Sequence, residues 1–261
     1  MKNTREMIIV ISPAKTLHAR SPIQLEKYSQ PVFMEEAQKV VSVLKKKKPD
    51  QLASLMDISP KLAELNAHRF QLWHAPFTLE NSWQALLMFN GDVYQEMKAD
   101  TFTPPQFEYA QQNLRILSGI YGLLKPLDLI QPYRLEMGIP ISIGKKKDLY
   151  EFWKTKITHQ LKKDLADDGR KTLINLASHE YFSAIDTKKL LKTRIITPSF
   201  KESRNGQYQM ISIFAKKARG LMCRFIIENQ ITDPEEIKAF DLGGYFFNNS
   251  LSKENEWVFT R

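Results

Sequence analysis

The sequence predicts a mixed α/β fold in a single compact domain over residues 1–261, on three observations. Short apolar, strand-like runs alternate with amphipathic helical stripes, Asn205-Gly206 marks an antiparallel hairpin, and no Pro/Gly/Ser-rich linker divides the chain. With 261 residues and 43% apolar composition there is enough material for one large core. The expected sheet is mixed and partly antiparallel with flanking helices, not doubly wound.

Met7-Ile8-Ile9-Val10-Ile11 reads as the first strand. Met34, Ala37, Val40, Val41 and Leu44 form a helical stripe that ends at a lysine run and Pro49. Further helices are expected over 50–56, 60–73, 80–89, 91–99 and 104–113, and Leu114 to Leu117 reads as a short buried strand entering a glycine-bearing loop. Leu149, Phe152, Trp153, Ile157, Leu161 and Leu165 mark a long helix closed by the turn Asp167-Asp168-Gly169. Strands follow at 172–176, 194–197 and 208–214, the last two joined by the Asn205-Gly206 turn. Thr232 is placed to cap a helix opening with Asp233-Pro234-Glu235-Glu236, and Trp257-Val258-Phe259 reads as a terminal strand.

The run Ile213 to Ile226 carries the most functional information. At about 100° per residue, Ala218, Leu221, Met222, Phe225 and Ile226 fall on one side of a helix and Lys216, Lys217, Arg219 and Arg224 on the other. Gly220 lies within the basic face, where a missing side chain lets a phosphate, or another backbone, approach closely. An anionic ligand and a solvated face with a packing glycine both fit.

Lys and Arg number 38 against 29 Asp and Glu, a formal charge of +9 that favours nucleic acid, anionic lipid or phosphorylated small molecules as partners. The lone Cys223 excludes an internal disulfide and any zinc site of several thiolates. The five histidines include no pair four residues apart, so no metal and no cofactor are expected. There is no apolar run of about 18 residues and no secretory signal at the amino terminus, so a cytoplasmic protein is expected, with no membrane partner.

Leu55-Met56-Asp57-Ile58-Ser59-Pro60-Lys61 resembles a helix-hairpin-helix element over about 50–73, in which the second helix offers its first amides to a DNA phosphate. Asp57 and Ser59 stand where that signature has glycines, and a plain αα-hairpin with Ser59 as N-cap fits equally. Residues 118–134 are dense in Gly, Pro and Tyr; Gly119 and Gly122 allow an anion-binding nest, and Arg134 beside Tyr133 suits a phosphate or a base. Lys15 follows the first strand without the upstream glycines of a P-loop. Ser178 and Glu180 suit a helix start, while Glu180 together with Asn175 also suits a polar pocket.

Ile11 to Leu17, Phe89 to Tyr94, Leu117 to Gly138, Asn175 to Phe182, Ala215 to Met222 and Asp241 to Tyr245 together resemble the YaaA family of peroxide stress proteins, in consistent order over essentially the whole chain; a departure stands at His179. The resemblance implies a bacterial cytoplasmic protein that protects DNA under peroxide, an association with lowered reactive iron, and a basic cleft. The leading expectation is therefore a monomeric protein that binds double-stranded or distorted DNA. Lys15, Lys61, Arg134, Lys216, Lys217 and Arg219 would face phosphates, Ser59 and Ser118 would add hydroxyl or amide contacts, and Tyr121 and Tyr133 would stack on bases. The alternative is an enzyme acting on a nucleotide, nucleoside or damaged base, with Lys15 as nucleophile or Glu180 as base. A third reading, direct iron sequestration, is opposed by the lack of Cys and His clusters.

Overall fold

Five parallel strands make the middle of the sheet, in a computed structural model that describes residues 7–18, 23, 25–167 and 171–261. In chain order the elements begin with β1 (Met7–Ile11), α1 (Met34–Leu44), α2 (Pro49–Met56), α3 (Pro60–Leu72), β2 (Trp83–Gln84), α4 (Ala85–Met88), α5 (Asp92–Met97) and α6 (Pro104–Asn113). Next come β3 (Leu114–Ser118), β4 (Gly122–Leu124), β5 (Leu129–Ile130), α7 (Leu149–Asp167), β6 (Thr172–Leu176) and α8 (His179–Phe182). The chain closes with β7 (Arg194–Arg204), β8 (Gln207–Gln209), α9 (Ser212–Glu228), β9 (Phe246–Phe247) and β10 (Glu256–Thr260). The main sheet runs β4-β3-β1-β6-β7-β10-β9, with β8 paired to β7. Its antiparallel members, β4, β8 and β9, are short additions to that parallel centre.

The sheet is mixed, as expected, but parallel pairing dominates its interior. The reason is separation: β1, β3 and β6 pair across long stretches of chain, and such pairing leaves no local signal of the kind that Asn205-Gly206 gives. Every residue of β1 is buried, as in a strand covered on both faces. Arg115 interrupts the apolar run of β3; its guanidinium pairs with Asp164 of α7 at 2.6 Å and donates to the carbonyl of Leu114, so the charge is buried with partners. The predicted stripe of α7 is buried from Leu149 to Leu165. Of its expected closing turn, Asp167 ends the helix, and Asp168 and Gly169 lie outside the described residues.

Three boundaries differ from expectation. Only Ala85–Met88 is helical within 80–89, because Trp83 and Gln84 are drawn into a strand pair with Ile130 and Leu129. The strand after Gly206 stops at Gln209 and α9 begins at Ser212. Asp233, not Thr232, caps the following segment, its side chain accepting from the Glu235 amide at 2.9 Å to open a 3-10 turn over Pro234–Ala239. The hairpin turn itself is as expected, with φ of 50° at Asn205 and 76° at Gly206, both in the left-handed region that a two-residue turn requires.

Gly220 is buried and serves packing. A Cβ there would stand 2.1 Å from the carbonyl oxygen of Val93, so α9 crosses α5 backbone against backbone. The opening read as an approach for phosphate is filled by α5. Gly220→Ala regains about 1 kcal/mol of helix propensity but forces apart two packed helices, a strain of about 1–3 kcal/mol or more. A net loss of stability is expected in urea unfolding; a gain would mean that Gly220 faces solvent.

Candidate functional site

Because β1, β3 and β6 are parallel, the segments that follow them leave the same edge of the sheet, where open α/β sheets bind ligands. After β1, the Ser12 hydroxyl donates to Ser178 Oγ at 3.2 Å and accepts from the Ser178 amide at 2.8 Å, joining that segment to the start of α8. The Tyr94 hydroxyl donates to the Ser12 carbonyl at 2.9 Å. Gly91 lies so close to Ala14 that a Cβ there would meet the Ala14 Cβ at 3.0 Å, which seats Lys15 beside the amino end of α5.

Lys15 Nζ lies 3.0 Å from Glu136 Oε1, and Arg134 Nη2 lies 3.1 Å from the same oxygen. Side-chain exposure falls from 62% at Lys15 through 19% at Arg134 to 8% at Glu136, so a buried carboxylate is roofed by two cations. One carboxylate cannot neutralise both, and the group keeps a net positive charge. Glu136 Oε2 and Arg134 Nε are buried without a hydrogen-bond partner. With Pro13, Tyr133 and Tyr181 these residues line a small cleft. Glu180 is nearby in sequence to Ser178 but is occupied, its Oε1 accepting the Gly138 amide at 3.0 Å. Asn175 is likewise engaged, accepting from the Ala177 amide at 3.1 Å.

The structure thus brings together Lys15 and Arg134 of the expected set, and adds Glu136. Sequence reasoning missed Glu136; the available signal was its place two residues beyond Arg134, the spacing that puts extended side chains on one side. Ser118, Tyr121 and Tyr133 are buried. The Ser118 and Tyr133 hydroxyls bond each other at 2.6 Å, and Tyr121 accepts from Trp73 Nε1 at 3.0 Å. Burial pushes both phenols up, and neither ring has a face free for a base. The expected nest is filled too: a Cβ on Gly119 would meet the Leu135 carbonyl oxygen at 2.4 Å, and Gly122, at φ 68°, lies under the Trp153 ring. Lys15, largely exposed and ion-paired, lacks the desolvated setting that activates a lysine nucleophile.

The remaining candidates lie on two helices. Between α2 and α3, Asp57 adopts φ 50° and ψ 58°, the left-handed conformation that glycine usually takes. Ser59 caps α3, its Oγ accepting from the Leu62 amide at 3.4 Å, and Lys61 is exposed in a first turn free of acidic residues. On α9, Lys216 is exposed, Lys217 pairs with Glu96 at 3.5 Å, and Arg219 is half-buried, which lowers its pKa. Arg224 is held by Glu228 and the Met97 carbonyl.

The fold and site define a mixed α/β protein with a small polar cleft, holding Lys15, Arg134 and Glu136, at the carboxyl edge of its sheet. A family model described as peroxide stress protein YaaA matches residues 7–251, and the chain belongs to that family. Its relatives include a UPF0246 protein of Colwellia psychrerythraea, 54% identical over 98% of this chain and 99% of its own. A UPF0246 protein of Neisseria gonorrhoeae is 51% identical over 98% of both chains. No helix among the described residues is long and apolar enough to cross a membrane.

Two expectations follow. Glu136→Ala removes the counter-charge from a largely buried Arg134 and should cost several kcal/mol, about 3–5 for a buried pair, whereas Lys15→Ala should cost less than about 1 kcal/mol; comparable losses in thermal unfolding would contradict this arrangement. Asp128, immediately before β5, accepts from the Ser29 hydroxyl at 2.6 Å and the Lys125 amide at 2.7 Å. Burial raises its carboxyl from 3.8 to about 6 against those hydrogen bonds. The folded state therefore holds the extra proton between about pH 4 and 6, and the associated stability is full below that window and lost as the pH rises through it. Wild-type stability relative to Asp128→Asn should fall from pH 4 to 7; a pH-independent difference would refute the assignment.

Proposed function

We propose that this peroxide stress protein binds double-stranded or distorted DNA in the cytoplasm as a monomer, gripping the phosphate backbone and shielding DNA from oxidative damage. The observation that carries this reading is the convergence of Lys15 and Arg134 on the single carboxylate of Glu136, which leaves excess positive charge at the carboxyl edge of the sheet. The surplus of +9 over the whole chain supports it. Contacts at Ala14–Gly91 and Val93–Gly220 connect this edge through α5 to α9, which bears Lys216, Lys217 and Arg219. In this reading the α2–α3 turn acts as a helix-hairpin-helix element, with Ser59 and Lys61 at a phosphate, and these groups border a basic cleft.

Glu136 favours a second reading. A buried carboxylate with one oxygen unpartnered beside two cations is an arrangement suited to chemistry on a nucleotide, nucleoside or damaged base. Release of a modified base or nucleoside from DNA by wild type, abolished in Glu136→Gln, would favour that reading over simple occupancy.

The electrostatic account is tested by titrating a short duplex at several salt concentrations. Log affinity should fall linearly with log salt, with a slope of about −0.9 per phosphate contact. Lys15→Ala, Lys61→Ala and Lys216→Ala should each weaken binding to every sequence alike and reduce the slope by about one. Binding that ignores salt, or no binding at low salt, would refute the proposal.

A further inference from the structure

β7 outruns the sheet. It pairs with β6 only as far as Ile174↔Ile196, and with β10 as far as Lys201↔Thr260, after which the Ser203 amide donates to the Arg261 carbonyl at 2.8 Å. Beyond that point Ser203 to Met210 are all exposed, forming a short two-stranded ribbon. Its base is fixed. Glu202 accepts from Arg261 Nε at 2.8 and 3.0 Å and from the Tyr245 hydroxyl, while the Arg261 guanidinium lies over the rings of Phe214 and Tyr245. The left-handed pair Asn205-Gly206 closes the tip tightly.

Such a ribbon is marginal in isolation and has no fold role that requires it to project. Register sets its chemistry. Ser203 stands opposite Tyr208, Arg204 opposite Gln207 and Glu202 opposite Gln209, so Arg204, Gln207 and Gln209 share one face, with Glu202 at its base neutralised by Arg261. Arginine and glutamine forks are the groups that pair with guanine O6/N7 and adenine N6/N7 in the major groove. From Ser203 to the tip at Asn205 the ribbon extends by about 7 Å at the rise of an extended chain, most of the groove's depth of about 8.5 Å, and two strands fit within its width. The charge suits phosphate walls: Arg204 is the only charged residue from 203 to 210, Lys201 and the Arg261-paired Glu202 precede the ribbon, and Lys216 and Lys217 follow it.

We infer that the 203–210 ribbon enters the major groove of duplex DNA and contacts base edges through Arg204, Gln207 and Gln209; this rests on the DNA-binding reading above and adds to it the groove and the reading element. The backbone-gripping cations then supply affinity, and the ribbon supplies preference among sequences.

The test uses two short duplexes of one sequence at one salt concentration, the second carrying glucosylated 5-hydroxymethylcytosines that fill its major groove. The intact protein should bind the plain duplex at least about fivefold more tightly, the lower end of what a bidentate base contact contributes. The triple variant R204A/Q207A/Q209A, altered only at exposed positions, should bind both duplexes equally and the plain one more weakly than wild type does. Equal wild-type binding to both duplexes overturns the inference while leaving DNA binding intact, and this comparison needs no variant to fold. Discrimination retained by the triple variant overturns it as well, because another element would then occupy the groove. Failure to bind either duplex refutes the DNA-binding reading itself and the ribbon's role with it.

Discussion

The burial of β1 between two parallel neighbours is the constraint on which the rest of the molecule depends. Its residues pair with β3 on one side and β6 on the other, Ile9 standing abreast of both Leu114 and Ile174. Parallel pairing obliges each strand to be reached by a crossover, so the chain spends its helices on return paths. It also delivers Ser12, Ser118 and Ser178 to one edge of the sheet. The polar cleft is a consequence of that direction, since a reversal of any of these strands would send its following segment to the opposite edge.

Close backbone approaches then hold the edge in place. Gly91 against Ala14, Gly119 against Leu135 and Gly220 against Val93 are contacts that a side chain would obstruct. The first seats the segment bearing Lys15, the second the segment bearing Arg134 and Glu136, and the third fixes α9 across α5. The two cations at Glu136 come from positions more than a hundred residues apart in the chain, and their meeting depends on these packed glycines more than on the ion pairs themselves. A pair with one member 62% exposed contributes little stability. What it does contribute is a fixed place for positive charge.

Much of this was legible in the sequence, for physical reasons that differ by element. The stripe of α7 and the turn at Asn205-Gly206 rest on short-range periodicity and backbone conformation, and the structure has both where the sequence predicts them. Residue type marks Lys15 and Arg134 as candidates but not their common partner Glu136, because its two-residue spacing from Arg134 counts only if the loop is extended there, which the sequence does not show. Tyr121 and Tyr133 look like stacking residues in a Gly- and Pro-rich loop; only the tertiary packing of Trp73, Phe77 and Trp153 reveals that the loop is core. Gly220 shows the same limit. A glycine open to a ligand and a glycine closed by a neighbouring helix are identical in sequence, and α5 decides between them.

Lysine-reactivity footprinting on the DNA-bound protein tests the central claim most directly. Acetylation with and without duplex DNA, read residue by residue, reports which amines the polyanion covers. Protection of Lys15, Lys61, Lys216 and Lys217, with Lys188 and Lys189 still reactive, is the result that the proposed DNA contacts predict. Protection confined to Lys45–Lys48 or to Lys162 and Lys163, with Lys15 fully reactive, would place DNA elsewhere on the molecule and contradict the account.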